Sequence, residues 1–179
     1  MSGLPRLENE RLVLRPFDLE DAVEVQCLAG DLDIASTTVL VPHPYLDGMA
    51  EEWIVTHHAA FVDRRILELA IELRATAELV GAISLTLNMR DACAELGYWV
   101  GKPYWGNGYC TEAARLIIEF GFHELKLNRV FAKHMTRNPS SGRVLEKLGM
   151  QYEGCLRQHV QKWNQFEDMN VYGLLCQTK

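Results

Sequence analysis

Apolar positions along the chain recur with two periods, one typical of strands and one typical of helices. Runs of strand length are Leu12–Leu14, Leu67–Leu73, Leu79–Leu87, Ala94–Val100, Arg129–His134, Met150–His159 and Phe166–Leu175. Helical spacing appears at Leu19–Ala29, at Met49–Val62, from Tyr109 onward and after Asn138. The order β-α-α-β-β-β-α-β-α-β-β predicts an α/β fold, with a mixed central sheet of about seven strands flanked by about four helices.

Capping residues support several of these boundaries. Asp18 is a good N-cap for the first helix, and Gly30 is expected to end it. The pair Asn138-Pro139 places an N-cap before a proline at the first helical position, and Gly149 ends that helix. Two prolines predict an irregular loop over residues 34–48.

The composition is that of one globular domain spanning residues 1–179. Its 48% hydrophobic and 23% charged residues are enough to fill and solvate a single core. The chain start shows no secretory signal, and no apolar stretch approaches membrane-spanning length, so we expect a cytoplasmic protein without a membrane partner. The scattered cysteines favour reduced thiols over a disulfide framework or a zinc site: Cys27, Cys93, Cys110, Cys155 and Cys176.

The charge is negative overall and unevenly distributed. A formal net charge of −6 makes nucleic acid an improbable partner. Residues 1–92 carry 7 basic and 16 acidic side chains, whereas residues 93–179 carry 11 and 8. An enzyme that joins a cationic substrate to an anionic cofactor would use such an asymmetry, although two ordinary solvated surfaces explain it equally well.

A glycine turn carries the clearest chemical signal. Gly106 and Gly108 follow an extended segment and directly precede an amphipathic helix. The first amides of a helix are unpaired and lie at its positive end, so they suit a phosphate. Glycine also tolerates positive φ and lets the backbone approach a ligand closely. We therefore expect a phosphorylated cofactor at this turn.

Several ordered blocks give the chain a resemblance to a known family. They are Glu95–Val100, Tyr104–Ala113, Leu127–Val130, Asn138–Met150, and Glu153–Arg157 with a downstream Asp168. With these blocks the chain resembles the GNAT acetyltransferase superfamily, and specifically its RimJ/RimL-like branch. The resemblance covers almost the whole chain. It implies the GNAT fold and direct transfer of acetyl from acetyl-CoA to a primary amine, without a metal.

The resemblance also implies a set of cofactor-binding residues. The amides of the turn would bind the acetyl-CoA pyrophosphate: Gly106, Asn107, Gly108, Tyr109, Cys110 and Thr111. The strand residues Tyr98, Trp99 and Val100 would pair with the pantetheine arm. Asn138, Ser141, Arg143 and Lys147 complete the set, the two basic residues facing phosphates. Lys133 and Arg137 are weaker candidates, for which a solvated face is the better interpretation.

Some positions depart from the pattern of the branch. Pro103 stands where the wider superfamily has Gln or Arg, a change that the branch tolerates. Cys110 and Asn107 replace a usual alanine and lysine. Because Cys110 begins a helix, its thiol pKa is expected to fall. Gln165 replaces a turn glycine beside Trp163, on the presumed acceptor side, which leaves the substrate open.

Two side chains are the candidates for proton transfer. The resemblance implies that the Ser141 hydroxyl gives a proton to the departing CoA thiolate; the alternative is a first-turn serine that satisfies local backbone. Glu95, on the strand beside the cofactor, is the candidate base, acting through a water. It is equally well explained as an ordinary strand carboxylate paired with a basic neighbour.

The acceptor side is less clearly marked. Trp53 and His57 share a helix face at i, i+4 spacing where this family often has its acceptor wall, although helix packing explains them better. Trp163 is a third substrate-binding candidate. The adjacent His57 and His58 diverge on a helix and cannot chelate one metal, so we expect no metal site.

The acceptor is first expected to be a protein N-terminal α-amino group, as in ribosomal-protein acetylation. A small amine, such as an antibiotic or a polyamine, is the main alternative, and a non-catalytic acyl-CoA-binding regulatory module is another. A dinucleotide-binding oxidoreductase is disfavoured because no G-x-G-x-x-G follows the first strand. Members of the family frequently form homodimers, so a second copy is a possible partner.

Overall fold

A single mixed sheet organises the molecule. The structure, a computed structural model, describes residues 3–177. The strands follow the order β1-β2-β3-β4-β5-β6-β8-β7 across the sheet. Their bounds are β1 Leu7–Glu8, β2 Leu12–Arg15, β3 Ile66–Leu73, β4 Leu79–Asn88, β5 Cys93–Val100, β6 Arg129–Met135, β7 Gln151–Lys162 and β8 Gln165–Leu175. Neighbours are antiparallel except for β5 and β6, which are parallel.

Helices cover both faces of this sheet. Their bounds are α1 Ala22–Ala29, α2 Leu32–Thr37, α3 Met49–Ile54, α4 His57–Val62, α5 Tyr109–His123 and α6 Pro139–Lys147. The short α1 to α4 precede β3, whereas α5 connects the parallel strands β5 and β6. None of the helices within residues 3–177 has both the length and the apolar character of a membrane span.

Each face of the sheet has its own hydrophobic core. Side chains such as Leu69, Leu85 and Leu96 join the core that includes Ile117 of α5. The alternate residues of the same strands, such as Ala70, Ala82 and Trp99, join the core that includes residues of α1 and α3. Period-two alternation therefore gives every strand residue a defined face. We call these the α5 face and the α1 face.

The predicted α/β class and mixed sheet are confirmed, with local differences. The sheet has eight strands because Leu7 and Glu8 pair with Leu14 and Val13 as an added β1. Two residues are too few for a periodic signal. The predicted first helix begins as a 3₁₀ turn over Leu19–Asp21 and becomes α-helical at Ala22.

The helix count is higher than predicted. The expected loop over residues 34–48 was wrong at its start, where α2 forms because the Asp31 side chain accepts from the Asp33 amide and caps it. The predicted helix Met49–Val62 divides into α3 and α4. At the break, the Thr56 hydroxyl donates to the Trp53 carbonyl at 2.7 Å, which competes with a continuous helical ladder.

The last hairpin turns more tightly than expected. Trp163 and Asn164 have positive φ values of 48° and 65°, and Gln165 already belongs to β8. A two-residue loop with positive φ at both positions matches the right-handed twist of the strands that it joins. Asn164 suits this backbone, whereas Trp163 is a residue that rarely adopts it.

Candidate active site

The two parallel strands separate near the middle of the sheet. β5 pairs with β6 only from Cys93–Arg129 to Leu96–Ala132. Beyond that row, β5 continues to pair with β4 as far as Val100, and β6 continues to pair with β8 as far as Met135. A V-shaped opening therefore lies between Gly97–Val100 and Lys133–Met135, with a free backbone edge on β5.

The free edge of β5 offers hydrogen-bonding groups to a ligand. The Gly101 amide donates to the Val80 carbonyl at 2.8 Å, on the β4 side. Because alternate residues of a strand turn their polar groups to opposite edges, Tyr98 and Val100 turn theirs toward the opening. The Trp105 indole donates to the Val100 carbonyl at 2.6 Å, which agrees with that orientation. An extended amide-containing chain could pair here as an additional strand.

The glycine turn follows this edge directly. Gly106 and Gly108 have φ values of 80° and 81°, and Gly108 is the N-cap of α5. A Cβ at Gly106 would meet no atom within 4 Å, so the turn needs glycine for its dihedral angle rather than for space. No side chain caps α5. The first amides of this 15-residue helix are therefore available to an anion.

Arg11, which lies just before β2, contacts the glycine turn and the start of α5. Its guanidinium donates to the Asn107 carbonyl at 2.9 Å and lies 5.0 Å above the Tyr109 ring. It also donates to Glu112 and holds the pKa of that carboxyl below its ordinary value. This arrangement neutralises an acidic side chain in the first turn of α5. No sequence pattern indicated it, because Arg11 and Glu112 lie on separate elements.

The thiol pKa of Cys110 differs from the one expected from the sequence. Its thiol lies against the core of the α5 face, and burial raises its pKa, although it begins a helix. Desolvation of the thiolate therefore outweighs the helix dipole. The expectation of a lowered thiol pKa was wrong, and a reactive thiolate at this position is disfavoured.

Two hydroxyl groups meet at the opening. The Tyr98 hydroxyl lies 2.8 Å from Ser141 Oγ, on the α5 face. Burial raises the pKa of Tyr98, so the phenol stays protonated at neutral pH. Asn138 positions Ser141 by accepting from its amide at 3.2 Å, which confirms the predicted N-cap. The contact with Tyr98 places a second hydroxyl beside Ser141, a pairing that the sequence pattern did not identify.

The basic side chains near α6 divide into two groups. Arg143 and Lys147 are exposed, and Arg143 donates to the Ser140 hydroxyl at 2.8 Å. Lys133 instead pairs with Glu95 at 3.2 Å. Arg137 pairs with Glu167 at 2.8 Å and also donates to the Ser36 carbonyl. The solvated-face interpretation of Lys133 and Arg137 is therefore incomplete, since both form ion pairs.

Glu95 lies on the α1 face of β5, in the row where β5 and β6 are still paired. Its neighbours in register are Thr86 on β4 and Phe131 on β6. The Lys133 ion pair engages one carboxylate oxygen, in agreement with the alternative of a strand carboxylate paired with a basic neighbour. The proposed role of Glu95 as the general base therefore stays a prediction.

The Trp53 and His57 side chains form an aromatic cluster with Phe17. The ring centroid of His57 lies 4.4 Å from that of Trp53 and 5.4 Å from that of Phe17, and both ring pairs have edge-on geometry. His57 is only 5% exposed, and neither ring nitrogen has a hydrogen-bond partner in the described chain. Burial lowers the pKa of His57 to about 4. The packing interpretation is therefore the better one for His57.

The tip of the last hairpin contacts the loop before α3. Lys162, which is 7% exposed, donates to the Val41 carbonyl at 2.7 Å, and burial lowers its pKa. Trp163 is half exposed and its ring centroid lies 6.0 Å from that of His43. These contacts join the two halves of the chain on the α1 face. In the described residues, 3–177, no group of three or more His, Cys, Asp or Glu could hold a metal.

This combination of an open strand edge, a glycine turn and a helix start matches a known family. The sequence profile described as Acetyltransferase (GNAT) domain matches residues 11–151. The chain belongs to the GNAT acetyltransferase family. It is accordingly an N-acetyltransferase of the GNAT type, and its homologues include ribosomal-protein acetyltransferases of the RimJ/RimL kind.

Individual relatives agree with this assignment. The uncharacterized N-acetyltransferase YoaA of Bacillus subtilis (strain 168) is 33% identical over 173 residues, 96% of this chain and 97% of that protein. The ribosomal-protein-serine acetyltransferase of Escherichia coli (strain K12) is 29% identical over 103 residues, 57% of this chain and 58% of that protein.

A solved structure extends the comparison to the fold. Spermidine N-acetyltransferase from Vibrio cholerae, in complex with CoA and spermine, has a TM-score of 0.80. It is 20% identical and covers 93% of this chain and 96% of that one. At this identity the likeness shows a shared fold.

Proposed function

We propose that this N-acetyltransferase binds acetyl-CoA at the opening between β5 and β6 and transfers the acetyl group to a primary amine. The separation of β5 from β6 after Leu96 and Ala132 is the observation that carries the proposal. Pantetheine would pair with the amide and carbonyl of Tyr98 and with the amide of Val100, whose carbonyl already accepts from the Trp105 indole. The pyrophosphate would accept from the amides between Gly106 and Thr111, and Arg143 and Lys147 would face the outer phosphates.

The residues at the opening would divide the proton transfers between them. A Tyr98 or Val100 amide would donate to the thioester carbonyl and stabilise the oxyanion. As the C–S bond breaks, the Ser141 hydroxyl would give its proton to the sulfur while the Tyr98 hydroxyl, 2.8 Å away, donates a hydrogen bond to the Ser141 oxygen. Ser141 would regain a proton from solvent when the products leave. General-acid help of this kind is worth on the order of 10²-fold in rate. Glu95 remains a candidate for removing the amine proton.

A protein N-terminal α-amino group is the first candidate acceptor. The similarity to a ribosomal-protein-serine acetyltransferase supports it. An α-amino group has a reference pKa near ~8, against ~10.4 for lysine, so it needs less deprotonation at neutral pH. A small amine is the alternative, and the excess of 16 acidic over 7 basic side chains in residues 1–92 fits either cationic acceptor.

The experiment is a thiol-release assay with acetyl-CoA and a panel of acceptors. The panel contains short peptides with free Ser, Ala or Met N-termini, the same peptides with blocked N-termini, spermidine, and an aminoglycoside. Release that requires a free N-terminus supports the first candidate, and release with spermidine or the aminoglycoside supports the alternative. If coenzyme binds but no acceptor accelerates release, the chain is a non-catalytic acyl-CoA-binding module.

A second copy of the chain is proposed as a partner. β7 is the edge strand of the sheet, and its hairpin exposes Tyr152, Leu156 and Phe166. An unpaired edge with apolar side chains is a natural surface for association. Sedimentation equilibrium tests this: a single species near 20.4 kDa contradicts the dimer. A cytoplasmic location is likewise a proposal, tested by cell fractionation.

A further inference from the structure

A second carboxyl lies on the α1 face, in the same cross-strand row as the first β5 residue of the opening. Glu68 of β3 is opposite Ser84 of β4, and Ser84 is opposite Gly97 of β5. Gly97 is the first residue of β5 beyond the part paired with β6. One cross-strand row therefore runs from Glu68 through Ser84 to Gly97 at the opening. Glu95 lies in the neighbouring row, where β5 is still hydrogen-bonded to β6.

Ser84 connects the carboxyl to the opening. Its side chain is the direct cross-strand neighbour of Glu68 on the same face of the sheet, where opposite side chains lie within reach of each other. On its other side, Ser84 Oγ lies 3.0 Å from where a Cβ of Gly97 would stand. Neighbouring strands are about 4.8 Å apart, so Glu68 needs this intermediate to reach a group above Gly97. Because Gly97 has no side chain, an amine above it can contact the Ser84 hydroxyl.

The surroundings of Glu68 suit a group that gains and loses a proton. It forms no ion pair within residues 3–177, and burial raises its pKa to about 8, an effect that the neighbouring Ser84 side chain opposes. The elements packed against β3 are β2, β4 and α4. Their ionisable groups are engaged elsewhere or exposed: Arg15 with Asp21 and Glu72, His57 between Phe17 and Trp53, and His58 in solvent.

We propose that Glu68, acting through the Ser84 hydroxyl, receives the proton that the acceptor amine loses during acetyl transfer. This inference rests on the proposed function. The amine nitrogen bonds to the thioester carbonyl carbon and the C–S bond breaks. The amine proton passes to Ser84 Oγ as the Ser84 proton passes to the Glu68 carboxylate. Glu68 then releases its proton to solvent, and the thiolate is protonated separately from Ser141.

The test compares pH profiles of Glu68→Gln, Glu68→Asp and Ser84→Ala with the parent, using the fastest acceptor of the panel above. Glu68→Gln is expected to lose about 10²-fold in kcat and to lose the enzyme ionisation near pH 8, with acetyl-CoA affinity unchanged by calorimetry. Glu68→Asp should recover part of the rate, and Ser84→Ala should lower it. Thr86→Ala, one row away on the same face of β4, is the matched control and should keep the parent profile.

The two possible failures are distinguishable. If the parent protein acetylates no amine, the proposed function is wrong and this inference falls with it. If the parent is active and Glu68→Gln keeps its rate and pH profile, only the inference is overturned. A Glu95→Gln protein that alone loses the ionisation would also overturn it. The unchanged coenzyme affinity of a folded Glu68→Gln or Glu68→Asp protein excludes a merely structural explanation.

Discussion

The two faces of the sheet at the β5–β6 opening are built in different ways. On the α5 face, the glycine turn, Tyr98 and Ser141 come from three compact segments, and the Tyr98 and Ser141 hydroxyls lie 2.8 Å apart. On the α1 face, Glu68, Ser84 and Glu95 come from three strands, and Lys162 reaches the loop before α3 from the far end of the chain. In the proposed function, the first face binds the coenzyme, which is common to the family, and the second meets the acceptor, which differs between relatives.

This difference explains why the family of the chain can be assigned while its acceptor substrate stays undetermined. In the proposed function, the coenzyme is recognised largely by backbone groups, and a turn with two glycines at positive φ fixes them locally. The acceptor would be recognised by side chains that only the completed fold brings together. We expect substitutions on the α5 face to abolish coenzyme binding or chemistry for any acceptor, and substitutions on the α1 face to change acceptor use or stability.

The largest effect is expected for Gly108→Asp on the coenzyme side. Aspartate would place an anion beside the pyrophosphate, where like charges at ~4 Å cost about 4 kcal/mol at an effective dielectric constant near 20, and it would strain a backbone φ of 81°. Calorimetric titration with acetyl-CoA should show at least a ~100-fold loss of affinity.

Gly48→Asp is the matched control for this variant. Gly48 is also a helix N-cap, with a φ of 87° and no atom within 4 Å of where a Cβ would stand, but it precedes α3. It carries the same backbone strain without the phosphate site and should bind acetyl-CoA as the parent does. Equal affinities for Gly108→Asp and Gly48→Asp would place the pyrophosphate elsewhere.

The next effect concerns the hydroxyl pair. Ser141→Ala should lower kcat about 10²-fold and Tyr98→Phe about tenfold, because Ser141 gives the proton to the thiolate and Tyr98 stabilises the Ser141 oxygen by a hydrogen bond. The double variant should lose little more than Ser141→Ala, since Tyr98 acts through Ser141. Steady-state kinetics checks this, with the Michaelis constant for acetyl-CoA as the internal control. Strictly multiplicative losses would mean that the hydroxyls act independently.

A smaller effect concerns stability on the α1 face. The pKa of His57 is about 4 in the folded protein and near 6.5 when unfolded, so the unfolded chain binds its proton first. The contribution of neutral His57 is complete above pH 6.5 and is lost as the pH falls toward 4. Urea unfolding should show about 2 kcal/mol less stability from this group at pH 5 than at pH 7.

His57→Phe isolates that contribution from other titrating groups. Phenylalanine keeps an aromatic ring beside Trp53 and Phe17 but cannot ionise, so the variant should lose less stability between pH 7 and pH 5 than the parent. Parallel pH dependences for the two proteins would show that His57 gains a proton in the folded state at its ordinary pKa.

The smallest effect is expected for Lys162→Met at the hairpin tip. Its ammonium donates to the carbonyls of Val41 and Val39, at 2.7 Å and 3.4 Å. Losing both contacts should loosen the loop before α3 and raise the acceptor Michaelis constant roughly threefold to tenfold, equivalent to about 1 kcal/mol. The exposed Lys126→Met is the matched control. A change in coenzyme affinity instead would place this contact on the coenzyme side.

Sequence patterns could predict the parts of the site that local chemistry determines. Two glycines before an amphipathic helix indicated the turn that begins α5, whose phosphate-binding role stays a prediction, and Asn138-Pro139 indicated the start of α6. The added strand β1 and the capped helix α2 were too short to leave a periodic pattern. The lowered thiol pKa expected for Cys110 failed because burial against the α5-face core depends on the whole fold.

The α1 face could not be predicted for a related reason. Glu68 occupies a strand position that reads as an ordinary polar residue between Leu67 and Leu69, and only the register places it opposite Ser84. Arg11 and Lys162 likewise act across 101 and 121 residues of sequence, on Glu112 and Val41. Contacts of that range follow from topology, which single-sequence patterns do not encode.

The most direct test of the central claim is a crystal structure of the protein with coenzyme A. We predict pyrophosphate oxygens within about 3.2 Å of the amide nitrogens between Gly108 and Thr111, and pantetheine amides paired with Tyr98 and Val100 at the free edge of β5. A coenzyme bound elsewhere, with the glycine turn making no contact to phosphate, would contradict the account.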